Sequence, residues 1–162
     1  MKYLAAAALV ALAGCADEPP SNPATDAEAI AKAERMSAPP RIMIEPQPIT
    51  FADIEENDLF GAGCNAMIEG ADDPVFLAQE KKGWIKLEGR IVELTSDRSS
   101  DPLPYDTWTK YIGLENWLEM KRDAARETQS GDETVAAPGE IVIHDSADRV
   151  VFRSNASIDC GA

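Results

Sequence analysis

Trp84-Ile85-Lys86-Leu87-Glu88-Gly89-Arg90-Ile91-Val92-Glu93-Leu94 is the stretch whose reading decides the fold. On both sides of Glu88-Gly89 an apolar face alternates with charged residues, the pattern of strands that keep one face wet. Glu88-Gly89 supplies the tight turn between the two arms. Outward from this hairpin, further short strands are predicted at Gly63 to Ile68, Val75 to Gln79, Thr107 to Tyr111, Asn116 to Lys121, Glu140 to His144 and Arg149 to Ile158. Ser146-Ala147-Asp148 is the turn before the last of them. About eight strands at this spacing predict a mainly β fold, a small antiparallel β-barrel or a sandwich, and the pattern leaves both open. Gly70 to Asp73, Ser96 to Pro104 and Asp123 to Gly139 read as loops. The last is long for a compact domain, which marks it as functional or disordered.

Upstream, Thr50-Phe51-Ala52-Asp53 has the spacing of a capping box, with Asp in place of Glu or Gln, and opens one or two helical turns through Asp58. Folded structure is therefore expected from Ile49, giving a β-rich domain over 49–162. Residues 16–48 carry Pro at positions 19, 20, 23, 39, 40, 46 and 48 among Ala, Asp and Glu. That composition buries too little apolar surface to offset chain entropy, and its Pro-rich parts prefer extended geometry. Ala27 to Met36 can form a short helix with Asp26 as N-cap, marginal in isolation. The whole segment 15–48 reads as a tether.

Ahead of it, Met1-Lys2 is a short positive region and Tyr3 to Leu12 an uninterrupted apolar run. A helix crossing a bilayer needs about twenty apolar residues, whereas roughly ten suit the core of a signal peptide. Leu12-Ala13-Gly14-Cys15 resembles the lipobox of bacterial lipoproteins. The resemblance implies that residues 1–14 are a signal peptide and that Cys15 becomes the acylated N-terminus, a membrane anchor through lipid. Ala16 and Asp17 then follow the acylated residue. The enteric sorting pattern keeps a lipoprotein with Asp directly after the Cys at the inner membrane. With Ala there instead, the expected place is the cell envelope, facing the periplasm, at the outer rather than the inner membrane.

The chain has 162 residues and a formal net charge of −14. Such a balance disfavours nucleic acid and suits solubility, cations or a basic envelope protein as partner. With Cys15 acylated, Cys64 and Cys160 remain as an even pair, and in an oxidising compartment such a pair forms a disulfide. A structural bridge tying the two ends of the domain together is expected. No CxxC accompanies it.

Chemistry-bearing patterns are sparse. His144 is the single histidine, on the strand face opposite Ile141 and Ile143 and toward solvent, with Ser146 adjacent in a turn rather than poised as a nucleophile. The carboxylates Glu55-Glu56-Asp58 and Asp72-Asp73 lack the oxygen spacing of an EF-hand loop, and there is no Gly-rich phosphate loop. No catalytic residue, no metal site and no cofactor is expected. Aromatic density peaks at Leu103-Pro104-Tyr105-Asp106-Thr107-Trp108-Thr109-Lys110-Tyr111, followed by Trp117. Three aromatics beside a cation make a binding hot spot if exposed. If one strand runs through this stretch, Tyr105 and Tyr111 share a face and Trp108 takes the other.

From Cys64 onward, the Trp-Ile-Lys-Leu and Ile-Val-Glu-Leu strands, the Ser/Asp-rich loop, Leu103-Pro104-Tyr105 with Trp108 and Lys110, and the terminal Cys160-Gly161-Ala162 resemble an uncharacterised family of bacterial lipoproteins, which brings no activity. The layout is also similar to the lipoprotein inhibitors of C-type lysozyme, small disulfide-closed β-barrels that act through a Ser-containing loop and a basic residue. That second resemblance implies Ser99, Ser100, Tyr105 and Lys110 as partner-binding positions, to which the aromatic-dense stretch adds Trp108 as a candidate. The inhibitors' Ser-Gly ahead of Arg-Tyr is replaced here by Ser100-Asp101-Pro102-Leu103-Pro104-Tyr105. The expected function is a non-enzymatic binding or structural role in the envelope, with inhibition of a basic exported enzyme as the alternative.

Overall fold

The computed structural model describes residues 23–37 and 39–162, so the expected signal peptide over 1–14 and the expected acylation site at Cys15 lie outside the described residues. The chain divides into two compact units, Met1–Pro40 and Arg41–Ala162. In the first, α1 (Pro23–Ser37) is longer than the expected Ala27 to Met36. Pro23 is tolerated at its start because that position needs no N–H partner. At its end the Ser37 hydroxyl donates to the carbonyls of Ala33 and Glu34. No helix among the described residues is long and apolar enough to cross a membrane.

The helix of the second unit is α2 (Phe51–Asn57), where both halves of the capping box form: the Asp53 N–H donates to the Thr50 hydroxyl, and the Thr50 N–H donates to the Asp53 carboxylate. Asp58 ends the helix in the left-handed conformation, φ 52°. Strands follow as β1 (Gly63–Ile68), β2 (Phe76–Ala78), β3 (Lys82–Leu87), β4 (Arg90–Ser96), β5 (Pro102–Leu103), β6 (Thr107–Trp108), β7 (Lys110–Ile112), β8 (Asn116–Arg122), β9 (Thr128–Gly131), β10 (Thr134–Asp145) and β11 (Val150–Gly161). The order β11-β1-β2-β3-β4-β7-β8-β10, with β10 paired again to β11, closes an antiparallel barrel of 8 strands. This settles the barrel against the sandwich.

The predicted hairpin is β3–β4. Its turn needs positive φ twice, 50° at Glu88 and 75° at Gly89, which favours the mirror-image turns that match strand twist. Ile85 pairs with Val92 and Trp84 with Glu93, so Ile85 points inward and Trp84 outward. Inside, Phe76 and Tyr111 meet edge to face at 5.3 Å, over a core of Leu94, Leu118, Met120, Ile141, Ile143 and Ile158. Gly83 makes room for that ring pair: a Cβ there would lie 2.5 Å from Phe76 and 2.9 Å from Tyr111.

Four expectations change. The outer face at Trp84 and Lys86 is not wet, because α2 and its flanks cover it. Trp84 packs with Ile49 and Leu59 in a second apolar cluster, and the Lys86 ammonium reaches the Asp53 carboxylate at 2.7 Å. The stretch 123–139 is not a structureless loop: it holds a 3-10 turn (Ala124–Arg126), β9 and the first half of β10, and β9–β10 pairing ties it to the barrel. The predicted strand Thr107 to Tyr111 is broken into β6, in a separate two-stranded sheet with β5, and β7 in the barrel. Finally, the second compact unit begins at Arg41 rather than Ile49. Residues 44–49 form a strap: the Ile44 N–H donates to Val151, Gln47 to Lys86 and Ile49 to Pro74, and the Gln47 side chain accepts the Gly89 N–H at 2.6 Å.

Cys64 and Cys160 are register partners across β1 and β11 and are joined by a disulfide. The bridge therefore ties the first and last strands of the barrel at their seam.

Candidate functional site

The turns β3–β4, β7–β8 and β10–β11 lie at one end of the barrel, the end that the strap crosses. Between the strap, the β3–β4 turn and the Gly113–Asn116 turn lies a cleft of about 890 Å³. Its floor is made by core residues Ile85, Leu94, Leu118 and Ile143, and its walls by Ile44, Leu87 and Val92. It exists because β4 pairs with β7 only at Thr95 and Ser96, so Arg90 to Leu94 run on without a β7 partner. The rim is apolar and open: Leu114 is 102 % exposed, Ile42 71 % and Met43 61 %. Scattered exposed apolar residues are ordinary, but these share one concave surface with a buried floor.

Charge at the rim is one-sided. Glu45, Glu88, Glu93 and Glu115 line the cleft, with Arg90 as the cation. Arg90 approaches Glu88 at 3.7 Å and Glu93 pairs with Lys82 at 2.9 Å. Glu45 and Glu115 make no ion pair among the described residues.

The residues expected to bind a partner lie at the other end of the barrel, beyond Ser96. There the structure brings Ser99, Ser100 and Lys110 together. The Asp97 N–H donates to the Lys110 carbonyl, and the Lys110 N–H donates to the Ser100 hydroxyl at 3.2 Å. Ser100 in turn donates to the Asp97 carbonyl and Ser99 to the Asp97 carboxylate. The Ser99 hydroxyl, and then its N–H, hold the Asp97 carboxyl below its ordinary range. Both serine hydroxyls thus shape the loop.

Tyr105 and Asp106 have left-handed φ of 59° and 55°, which breaks the strand and turns Tyr105 onto the core. Its hydroxyl donates to the Glu133 carbonyl. Tyr111 is fully buried, donates to the Gln79 carbonyl at 2.9 Å, and is pushed up to about 12 by burial. Tyr105 and Tyr111 therefore both face the core, but through the break rather than through strand parity. Trp108 is half-buried, with its Nε1 donating to the Glu80 carbonyl and the Arg98 guanidinium 5.9 Å from its ring.

His144 points outward as expected and lies flat on Trp117, with ring centroids 3.7 Å apart. Lys110 Nζ sits 4.3 Å from the same indole, and Trp117 Nε1 donates to Asp148. This stack across β7, β8 and β10 closes upon itself. Ser146 makes no contact with His144 that would form a nucleophile–base pair. Among the described residues no group of three or more His, Cys, Asp or Glu is arranged to hold a metal.

Comparisons with family models, curated proteins and solved structures return no match.

Sequence reasoning missed the cleft. Two signals pointed to it: the apolar run Ile42-Met43-Ile44 inside a Pro-rich tether, and Leu114 in the turn Gly113-Leu114-Glu115-Asn116.

Proposed function

We propose that the chain is a lipoprotein of the cell envelope, anchored through lipid on Cys15, with a non-enzymatic binding role whose binding surface is the strapped mouth of the barrel. The observation that carries the reading is the apolar cleft itself, open at one end and rimmed by Ile42, Met43 and Leu114. Its carboxylate rim favours a cationic group on whatever enters it. The tether joins this unit at Arg41, directly beside the rim residues Ile42 and Met43.

Two measurements test this. A Cys15→Ser precursor is expected to leave the membrane fraction while the barrel still folds; firm membrane retention of that variant would overturn the anchor. A photo-crosslinking residue at position 114 or 43, introduced in cells, is expected to trap an adduct that the same residue at position 72 does not. Equal or absent adducts at 114 and 43 would remove the mouth as the binding surface.

A second reading, inhibition of a basic exported enzyme such as C-type lysozyme, is favoured by one observation: the Ser99–Ser100 loop is held against Lys110 at the start of β7. Unchanged lysozyme activity at micromolar protein would sink it.

A further inference from the structure

Resting on the mouth as the binding surface, we infer that the cleft takes the alkyl chain of a single-chain amphiphile whose head is cationic or zwitterionic. Three features carry this. The cleft is concave and mainly apolar, and its volume of about 890 Å³ lies in the range of ~300–1,000 Å³ typical of small-molecule sites, which recur in the mouths of β-barrels. A concave site with a floor of Ile85, Leu118 and Ile143 fits a chain entering it better than a flat lipid surface lying across it. The rim sets four carboxylates against one guanidinium, which opposes an anionic head and favours an ammonium.

Exposure of the walls adds the driving force. Val92 is 36 % exposed although its register partner Ile85 is 2 % exposed. Leu114 stands free at the tip of its turn. An alkyl chain laid between them removes both from water, together with its own methylenes.

The full chain is titrated with decyl- and dodecyltrimethylammonium, dodecylphosphocholine and dodecanoate, each below its micellar concentration, by calorimetry and by amide NMR. Each added methylene is expected to tighten Kd about fourfold, the fold-change equivalent to about 0.8 kcal/mol per buried methylene. The ammonium and phosphocholine heads are expected to bind at least tenfold tighter than dodecanoate, with amide shifts centred on Leu87, Val92 and Leu114. Val92→Gln should weaken dodecylphosphocholine at least tenfold and Leu114→Ser about threefold, with the β10–β11 amide spectrum unchanged in both.

Absence of chain-length dependence, dodecanoate binding as tightly as the ammonium, or amide shifts centred away from the cleft would each overturn the inference. A protein adduct at position 114 with no amphiphile binding overturns the inference and leaves the mouth as the binding surface. Loss of every adduct at 114 and 43 removes the surface itself.

Discussion

Opening the Cys64–Cys160 disulfide tests how the barrel seam is held. The two cysteines are 96 residues apart in sequence, so the bridge closes nearly the whole barrel into one loop. In the chain-entropy model a loop of about 100 residues restricts the unfolded ensemble by about 4.7 kcal/mol at 25 °C. Both cysteines are buried, Cys64 3 % and Cys160 0 % exposed, so Cys→Ala replacement would add a cavity cost. Reduction of the wild-type chain avoids that cost and isolates the cross-link. For a domain of this size, 1 kcal/mol moves Tm by roughly 3–6 °C. The reduced protein should therefore melt roughly 15–25 °C lower, and its urea midpoint should fall. Its urea m-value should rise, because the uncross-linked unfolded chain exposes more surface. Urea titration of the oxidised and reduced chains, followed by far-UV circular dichroism and by Trp fluorescence, measures all three quantities. A loss below about 1 kcal/mol with an unchanged m-value would refute the reasoning, since the pairing of β1 with β11 would then hold the seam without help.

Gly83→Ala should destabilise the barrel by about 1–3 kcal/mol, because the added methyl collides with the Phe76 and Tyr111 rings, which are packed on every side; an unchanged urea midpoint would show that the pair can shift. Asp53 is held at about 2 rather than 3.8, first by the hydrogen bond from Lys86 and then by the Thr50 hydroxyl and N–H. Its folded pKa is depressed, so the stability it contributes is present above about pH 4 and is lost as pH falls toward 2. Asp53→Asn should flatten that acid limb and cost about 1–2 kcal/mol at pH 7 through the weakened cap and the unpaired Lys86; an acid limb identical to wild type would place the titration elsewhere.

Local patterns that depend on neighbours in the chain were legible directly. Glu88-Gly89 marked a turn because Gly89 adopts positive φ without steric cost and sits between two arms of alternating apolar residues, and Thr50 to Asp53 marked a helix start because a cap satisfies orphan N–H groups locally. Gly63 to Ile68 was read with its observed limits because Gly61 and Gly63 interrupt helix before it. The same local reading misjudged 123–139, where Thr, Gln, Ser and Gly are polar enough to read as loop. Their strand state comes from pairing with β10, and polar residues suit an exposed edge. It also ran one strand through Thr107 to Tyr111, because the break at Thr109 comes from long-range partners, its N–H donating to the Asp101 carbonyl and its own carbonyl accepting the Met120 N–H.

By itself the sequence determined the β class, the main strands and turns, and the pairing of Cys64 with Cys160, the two cysteines outside the N-terminal segment. Each follows from residue type and spacing within a few positions, or from elimination. Tertiary structure alone decided the closure of β10 on β11, the covering of Trp84 and Lys86 by α2, and the strap that sets Ile42 and Met43 beside Leu114. These depend on contacts between residues tens of positions apart, and the energy of such contacts is set by which surfaces meet, a property that no single stretch of the chain carries.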